Sequence, residues 1–162
     1  MPIPLFDTRT PIQPLREAIQ AKIAEVIDAQ SFILGPELEA FESELAEYLG
    51  ARHVVGVGNG TDAITLALRA MGVGPGDEVV VPSFTFYASA EAIPLTGARP
   101  VFCDVDPETF CVTPDTVRAA LTERTKAVIA ARTVSTVTHI VSRSRSQNTG
   151  RAPIDAMASA LA

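Results

Sequence analysis

A chain of 162 residues with 47% hydrophobic side chains is about one domain long and has enough apolar content to bury a core. Its formal net charge of −6 argues against nucleic acid or an acidic membrane surface as partner, because both select a basic face. The two cysteines, Cys103 and Cys111, supply neither a disulfide framework nor a four-ligand metal site and are read as small apolar residues. With no signal peptide and no long apolar span, the expected compartment is a reducing cytoplasm.

Leu15, Ile19, Ile23, Val26 and Ile27 recur at helical spacing and predict an amphipathic helix over Pro14–Ala29. Ser31–Pro36 breaks the pattern as a loop. A second helix carries Leu38, Phe41, Leu45 and Leu49 on one face and stops at Gly50. His53–Val57 reads as a first strand, and Thr61 to Met71 as a well-buried helix. After the turn cluster Gly72–Asp77 comes a short apolar strand, Glu78–Val81, stopped by Pro82. A short helix over Ala88–Leu95 and a strand over Arg99–Val105 follow. Thr113-Pro114-Asp115 has the form of an N-cap with proline at the first helical position, opening a helix to Leu121. Lys126–Ala130 is the last clear strand. Short strands alternating with helices predict an α/β fold with a mostly parallel sheet.

The texture changes near Ala131. Residues 131–162 carry four arginines (132, 143, 145 and 151) against Asp155, a net +3, so the first 130 residues hold −9 of the total. Thr133–Ser142 has strand-like residues with poor alternation, and Arg143–Gly150 is polar and rich in breakers.

Two segments carry candidate chemistry. Gly56-Val57-Gly58-Asn59-Gly60-Thr61-Asp62 is a glycine-rich turn running into a helix start. Its backbone N–H groups, freed by glycines that tolerate positive φ, and the positive end of the helix dipole suit a phosphate. It matches neither the dinucleotide pattern nor the nucleotide P-loop, so a plain turn with a capped helix is the competing reading. Pro82-Ser83-Phe84-Thr85-Phe86-Tyr87-Ala88-Ser89 follows a buried strand at the end where ligands gather in open α/β sheets. One of its rings can lie flat on a planar ligand; the competing reading is three ordinary core aromatics. A phosphate cradle beside an aromatic platform suits a small aromatic phosphate ester such as pyridoxal 5′-phosphate.

The order and spacing of Phe32-Ile33-Leu34-Gly35-Pro36, Phe41-Glu42, Gly58–Ala63, Gly74–Val79, Pro82–Phe86, Gly97–Phe102 and Asp104-Val105-Asp106 is specific as a set. Over residues 1–130 the chain resembles the DegT/DnrJ/EryC1/StrS family of pyridoxal-phosphate-dependent sugar aminotransferases. The resemblance implies an incomplete large-domain fragment of a type I aminotransferase-like fold, with a mostly parallel sheet flanked by helices. It implies a homodimer with sites at the subunit interface, glutamate as amino donor and a nucleotide-linked keto-sugar as acceptor, in amino-sugar, polysaccharide or antibiotic-sugar biosynthesis. Carried over by position, Gly60, Thr61 and Asp62 hold the cofactor phosphate and Phe86 stacks on its ring, while Phe32–Pro36 lies near the site or the partner subunit.

The resemblance stops after Ala130. The family's aspartate strand and its Schiff-base lysine have no counterpart in residues 131–162, and Asp155 does not match the aspartate strand. The lysines of the chain are Lys22 and Lys126. Cofactor chemistry of this kind needs an amine nucleophile, and arginine stays protonated and does not replace one. Lys126 opens a strand, at the edge opposite the ligand-bearing ends, and Lys22 reads as a solvated charge on the first helix. No catalytic residue is therefore assigned, and covalent attachment of the cofactor by the family's route is not expected.

The expectation is a front portion of a sugar aminotransferase over 1–130 and a tail over 131–162 that is frameshifted, fused or disordered, the chain being inactive alone. The alternatives are a non-catalytic phosphate- or cofactor-binding module and a truncated subunit that pairs with an intact homologue. Translation of the other two reading frames beyond codon 130 is expected to yield a Glu-Asp-Ala strand followed by a lysine motif. Finding these in neither frame contradicts the frameshift reading.

Overall fold

A computed structural model describes residues 7–131 and 138–142. The chain divides into two compact units, one ending at Gly56 and the other beginning at Val57. Among the described residues no helix is long and apolar enough to cross a membrane.

In the first unit the chain turns helical earlier than its apolar spacing predicts. The Asp7 carboxylate accepts the N–H groups of Arg9 and Thr10 at 2.9 and 3.3 Å and the Thr10 hydroxyl at 2.5 Å. These bonds start α1 (Arg9–Ile12), and a 3₁₀ turn over Gln13–Leu15 leads into α2 (Arg16–Ala29). Pro14, which has no N–H to give an α-helical ladder, sits in that 3₁₀ turn. Helix α3 (Pro36–Leu49) follows the expected loop, with Pro36 at its first position. It ends where Gly50 turns left-handed at φ +63°, a conformation that costs a residue with a Cβ far more than glycine. Lys22 bridges α2 and α3 through Glu25 and Glu37 at 2.9 and 3.1 Å, all three side chains exposed. It is the solvated charge the sequence suggests, and solvent screens such exposed pairs so that they add little to stability.

The strand expected at His53–Val57 does not form. These residues run without regular secondary structure, and Val55 and Val57 are exposed. An apolar stretch becomes a strand only where a neighbour accepts its N–H and C=O groups in a ladder. Here the Gly56 N–H is given instead to the Glu42 carboxylate at 2.6 Å. A Cβ on Gly56 would stand 2.5 Å from Leu38 Cδ1, so close approach to α3 dictates glycine at this position.

The second unit is an open α/β layer. Helix α4 (Gly60–Ala70) leads to β1 (Glu78–Pro82), then α5 (Ala88–Glu91), β2 (Arg99–Cys103), α6 (Pro114–Ala120), β3 (Thr125–Ala131) and β4 (Thr138–Ser142). The sheet order is β2-β1-β3-β4; β1 pairs in parallel with β2 and β3, and β4 adds an antiparallel edge against β3. The mostly parallel sheet is thus as predicted. β4 lies within the stretch whose patterning changes, and the rest of residues 132–162 lies outside the described residues.

Alternation along β1 and β3 sorts the core into two layers. Val79, Val81, Ala127 and Ile129 face Leu68 of α4 and Ile93, whereas Val80 and Val128 face Val117 of α6 and Cys103. With both faces covered, the strands are apolar at nearly every position, as their burial shows. Each fully buried Leu or Ile side chain contributes about 1.5–3 kcal/mol. Cys103 is part of this core, and burial pushes its thiol up to about 11, which leaves it an inert apolar residue. Helix α6 starts as predicted, with the Thr113 and Thr116 hydroxyls each accepting the other residue's backbone N–H in a capping box. Helix α5 is shorter than predicted: Pro94 has no N–H to continue it, and the chain passes into a 3₁₀ turn over Pro94–Thr96.

The N-terminal edge of the parallel strands is held by charge. The Glu78 carboxylate is buried and accepts the Thr122 hydroxyl at 2.5 Å, the Arg99 guanidinium at 2.5 Å and Arg124 Nε at 2.8 Å. The Thr122 hydroxyl first, then Arg99 and Arg124, hold its carboxyl down from 4.5 to about 2. A carboxyl lowered on folding stabilises the fold above its unfolded value and loses that contribution as pH falls through the folded value. The thermal midpoint is therefore expected to drop as pH is lowered from about 4.5 to about 2. Glu78→Gln is expected to be less stable at neutral pH and to flatten that acid limb. Parallel wild-type and variant melting curves against pH would count against this account of the edge.

Candidate functional site

The candidate site is assembled at the opposite edge, from the start of α4 and the loop after β1. Asn59 is extended, at φ −165° and ψ 173°, and is the N-cap of α4, so the helix opens one residue earlier than predicted. Its Oδ1 accepts the Asp62 N–H at 2.9 Å, and its Nδ2 donates to Asp62 Oδ2 at 2.9 Å. The Ala63 N–H returns to the Asn59 carbonyl at 3.1 Å. Among the described residues no partner takes the N–H groups of Gly60 and Thr61 or the Thr61 hydroxyl. A Cβ placed on Gly60 would meet nothing within 4 Å, so the approach to these donors is open.

One expectation about this turn needs correcting. Gly56, Gly58 and Gly60 all avoid the left-handed region; the positive-φ glycines are Gly50, Gly72, Gly76 and Gly97. The donors at the start of α4 are exposed by the Asn59 cap rather than by inverted glycine backbone. Of the three residues expected to hold an anion, Gly60 and Thr61 present uncommitted N–H groups. Asp62 has given its N–H to Asn59, and its carboxylate is held by the same side chain.

The loop after β1 places its aromatics at the carboxyl ends of the strands. The Ser83 N–H donates to the Cys103 carbonyl at 2.9 Å, tying the ends of β1 and β2 together. Phe84 packs on Phe110, ring centroids 5.6 Å apart and planes inclined by 44°, across the loops that leave those two strands. Phe86 is 81% exposed and Tyr87 72%. Neither ring is buried among the described residues. Thr85 and Ser89 pair their hydroxyls at 3.3 Å beneath them, and the Ser89 N–H donates to the Phe86 carbonyl at 3.1 Å.

Two contacts fix how the halves of the site align. Thr65 Oγ1 faces the Ala92 carbonyl at 3.5 Å, and Arg69 Nη2 donates to the Leu95 carbonyl at 2.8 Å. Contacts that advance together along both segments mean that α4 and residues 88–96 run side by side in one direction. The start of α4 therefore lies at the same end as Phe86–Ala88. Neither Asn59 nor Thr65 was singled out from sequence as a site residue. An asparagine directly before a helix start and a threonine four residues after Thr61 are the signals that find them.

Lys126 is at the other edge. Its ammonium donates to the Gly72 carbonyl and lies 3.2 Å from Asp77 Oδ2, in the turn that precedes β1. The strand length separates it from the aromatic loop.

An open parallel α/β layer with uncommitted N–H groups and exposed rings at its carboxyl edge is an arrangement in which α/β folds take small ligands. The sequence profile of the DegT/DnrJ/EryC1/StrS aminotransferase family matches residues 13–141, and the chain belongs to that family. It is 50% identical over 127 residues to a UDP-N-acetyl-3-dehydro-α-D-glucosamine 3-aminotransferase of Acidithiobacillus ferrooxidans, covering 78% of this chain and 34% of that one. Among solved structures, S. venezuelae DesV superposes with a TM-score of 0.73 at 45% identity, over 78% of this chain and 34% of that one. NtdA of Bacillus subtilis, solved with its bound cofactor PMP, gives 0.66 at 41% identity over 69% and 26%. The described sheet and helices have the fold of the aminotransferases of this family. The chain spans about a third of the length of the curated relatives it matches.

Proposed function

We propose that this chain supplies the phosphate- and ring-binding part of a pyridoxal 5′-phosphate site in an aminotransferase that moves an amino group from glutamate to a nucleotide-linked keto-sugar. The reading rests on one observation: two uncommitted backbone N–H groups, Gly60 and Thr61, open α4 at the same end of the layer as the exposed ring of Phe86. When bound, pyridoxal phosphate supplies an electron sink for amino transfer.

The residues present fit that group. Gly60 N–H, Thr61 N–H and the Thr61 hydroxyl donate to the phosphate, and the helix dipole adds to them. Asp62 acts through Asn59, keeping the cap closed so that the two donors stay aligned. Asp62 also brings a negative charge into the first turn, which weakens the pull of the dipole on an anion, so the direct N–H bonds carry most of the attraction. Phe86 covers one face of the pyridine ring, and an aromatic stack of this kind is worth about 0.5–1.5 kcal/mol beyond area burial. The aminotransferase names of the relatives support the reaction class.

Lys22 and Lys126 are both held in ion pairs, and Lys126 is at the far edge of the strands. We therefore assign neither Lys22 nor Lys126 a catalytic role, and neither forms a covalent bond to the cofactor in this proposal. The family's portion of the chain in this proposal is the span 13–141 that its profile matches, which reaches past Ala130. The assembly proposed for it is a homodimer.

Borohydride treatment of the chain with pyridoxal phosphate, followed by peptide mapping, is the direct test. The expected result is saturable binding with no pyridoxyl group on Lys22 or Lys126. Phe86→Ala is expected to weaken the affinity about three- to tenfold. A stoichiometric pyridoxyl-lysine, or saturable binding that Phe86→Ala leaves untouched, contradicts the proposal.

A further inference from the structure

The proposed cradle depends on the orientation of one peptide group, between Thr61 and Asp62, and that group is gripped by side chains at both ends. Its N–H is taken by Asn59 Oδ1 at 2.9 Å, and its C=O accepts the Thr65 hydroxyl at 2.9 Å. Thr65 is 7% exposed, so its hydroxyl must find an acceptor inside the protein. The second acceptor it faces is the Ala92 carbonyl at 3.5 Å, at the end of α5. The first residue before α5, Tyr87, accepts the Glu91 N–H at 2.9 Å, and Phe86 accepts that of Ser89 at 3.1 Å. One buried hydroxyl thus lies between the first turn of α4 and the short helix whose start carries Phe86.

We infer that Thr65 is a positioning residue for the phosphate. By giving its one proton to the Thr61 carbonyl it sets the first turn of α4, and its buried side chain packs that turn against Ala92, at the end of the short helix that follows the loop bearing Phe86. A threonine that bonds back to the carbonyl four residues earlier generally bends or loosens a helix slightly. Here that bond falls on the turn that presents the donors, and the buried surroundings leave the hydroxyl no route to water. The inference rests on the phosphate reading of the site; the hydroxyl touches neither phosphate nor ring.

The test compares pyridoxal phosphate with pyridoxal, which lacks the phosphate, by equilibrium dialysis against the wild-type chain, Thr65→Val and Thr65→Ser. Valine keeps the branched shape and removes the hydroxyl; serine keeps the hydroxyl and removes the methyl. Wild type is expected to prefer pyridoxal phosphate. Thr65→Val is expected to lose about tenfold in affinity for pyridoxal phosphate, the scale of one internal hydrogen bond, with pyridoxal unchanged. Thr65→Ser is expected to stay within about twofold of wild type for both ligands. Wild-type affinity in Thr65→Val overturns the inference while leaving the phosphate reading intact. So does a loss of phosphate preference in Thr65→Ser, which holds whether or not Thr65→Val folds. A wild-type chain without preference for the phosphorylated ligand overturns the phosphate reading and the inference with it.

Discussion

The carboxamide of Asn59 is the constraint on which the candidate site depends. It occupies both the N–H and the carboxylate of Asp62, closing the first turn of α4 on itself. A helix start has four N–H groups without partners in its own ladder. Here the Asn59 side chain uses that of Asp62 and the ladder begins with the Ala63 N–H on the Asn59 carbonyl, leaving those of Gly60 and Thr61 uncommitted.

The layer beneath separates two kinds of edge. At the amino ends of the parallel strands, Glu78 gathers Thr122, Arg99 and Arg124, and Asp77 pairs with Lys126. These groups satisfy one another, and that edge is structural. At the carboxyl ends, Phe84 and Phe110 close over the loops while Phe86 and Tyr87 remain exposed, with the helix start alongside. The strands between carry apolar residues into both layers, so the sheet acts as a stiff spacer that fixes the two edges without contributing chemistry. Lys126, at the start of β3, therefore lies at the edge opposite the loop that follows β1.

Legibility in the sequence followed locality. Thr113 and Thr116, Gly50 and Pro94 act through their own backbone or residues a few positions away, and their roles as cap, stop and breaker are readable or explicable from the chain alone. Strands buried on both faces were equally plain in Val79-Val80-Val81 and Ala127–Ala130. His53–Val57 misled because its composition is that of a strand, while strand formation is decided by a partner that composition does not encode. The glycine turn misled in its mechanism: glycine suggests inverted backbone, yet Gly56 answers to the approach of Leu38 and the donors answer to Asn59. The alignment of α4 with α5 came only from Thr65 and Arg69 reaching carbonyls 26 and 27 residues away.

The measurement that bears most directly on this account is a ¹⁵N-resolved amide spectrum of the chain titrated with pyridoxal phosphate. The account predicts that the Gly60 and Thr61 amide resonances move together and saturably, while that of Asp62, already bonded to Asn59, moves less. Saturable binding that leaves Gly60 and Thr61 unmoved and shifts amides elsewhere would contradict it.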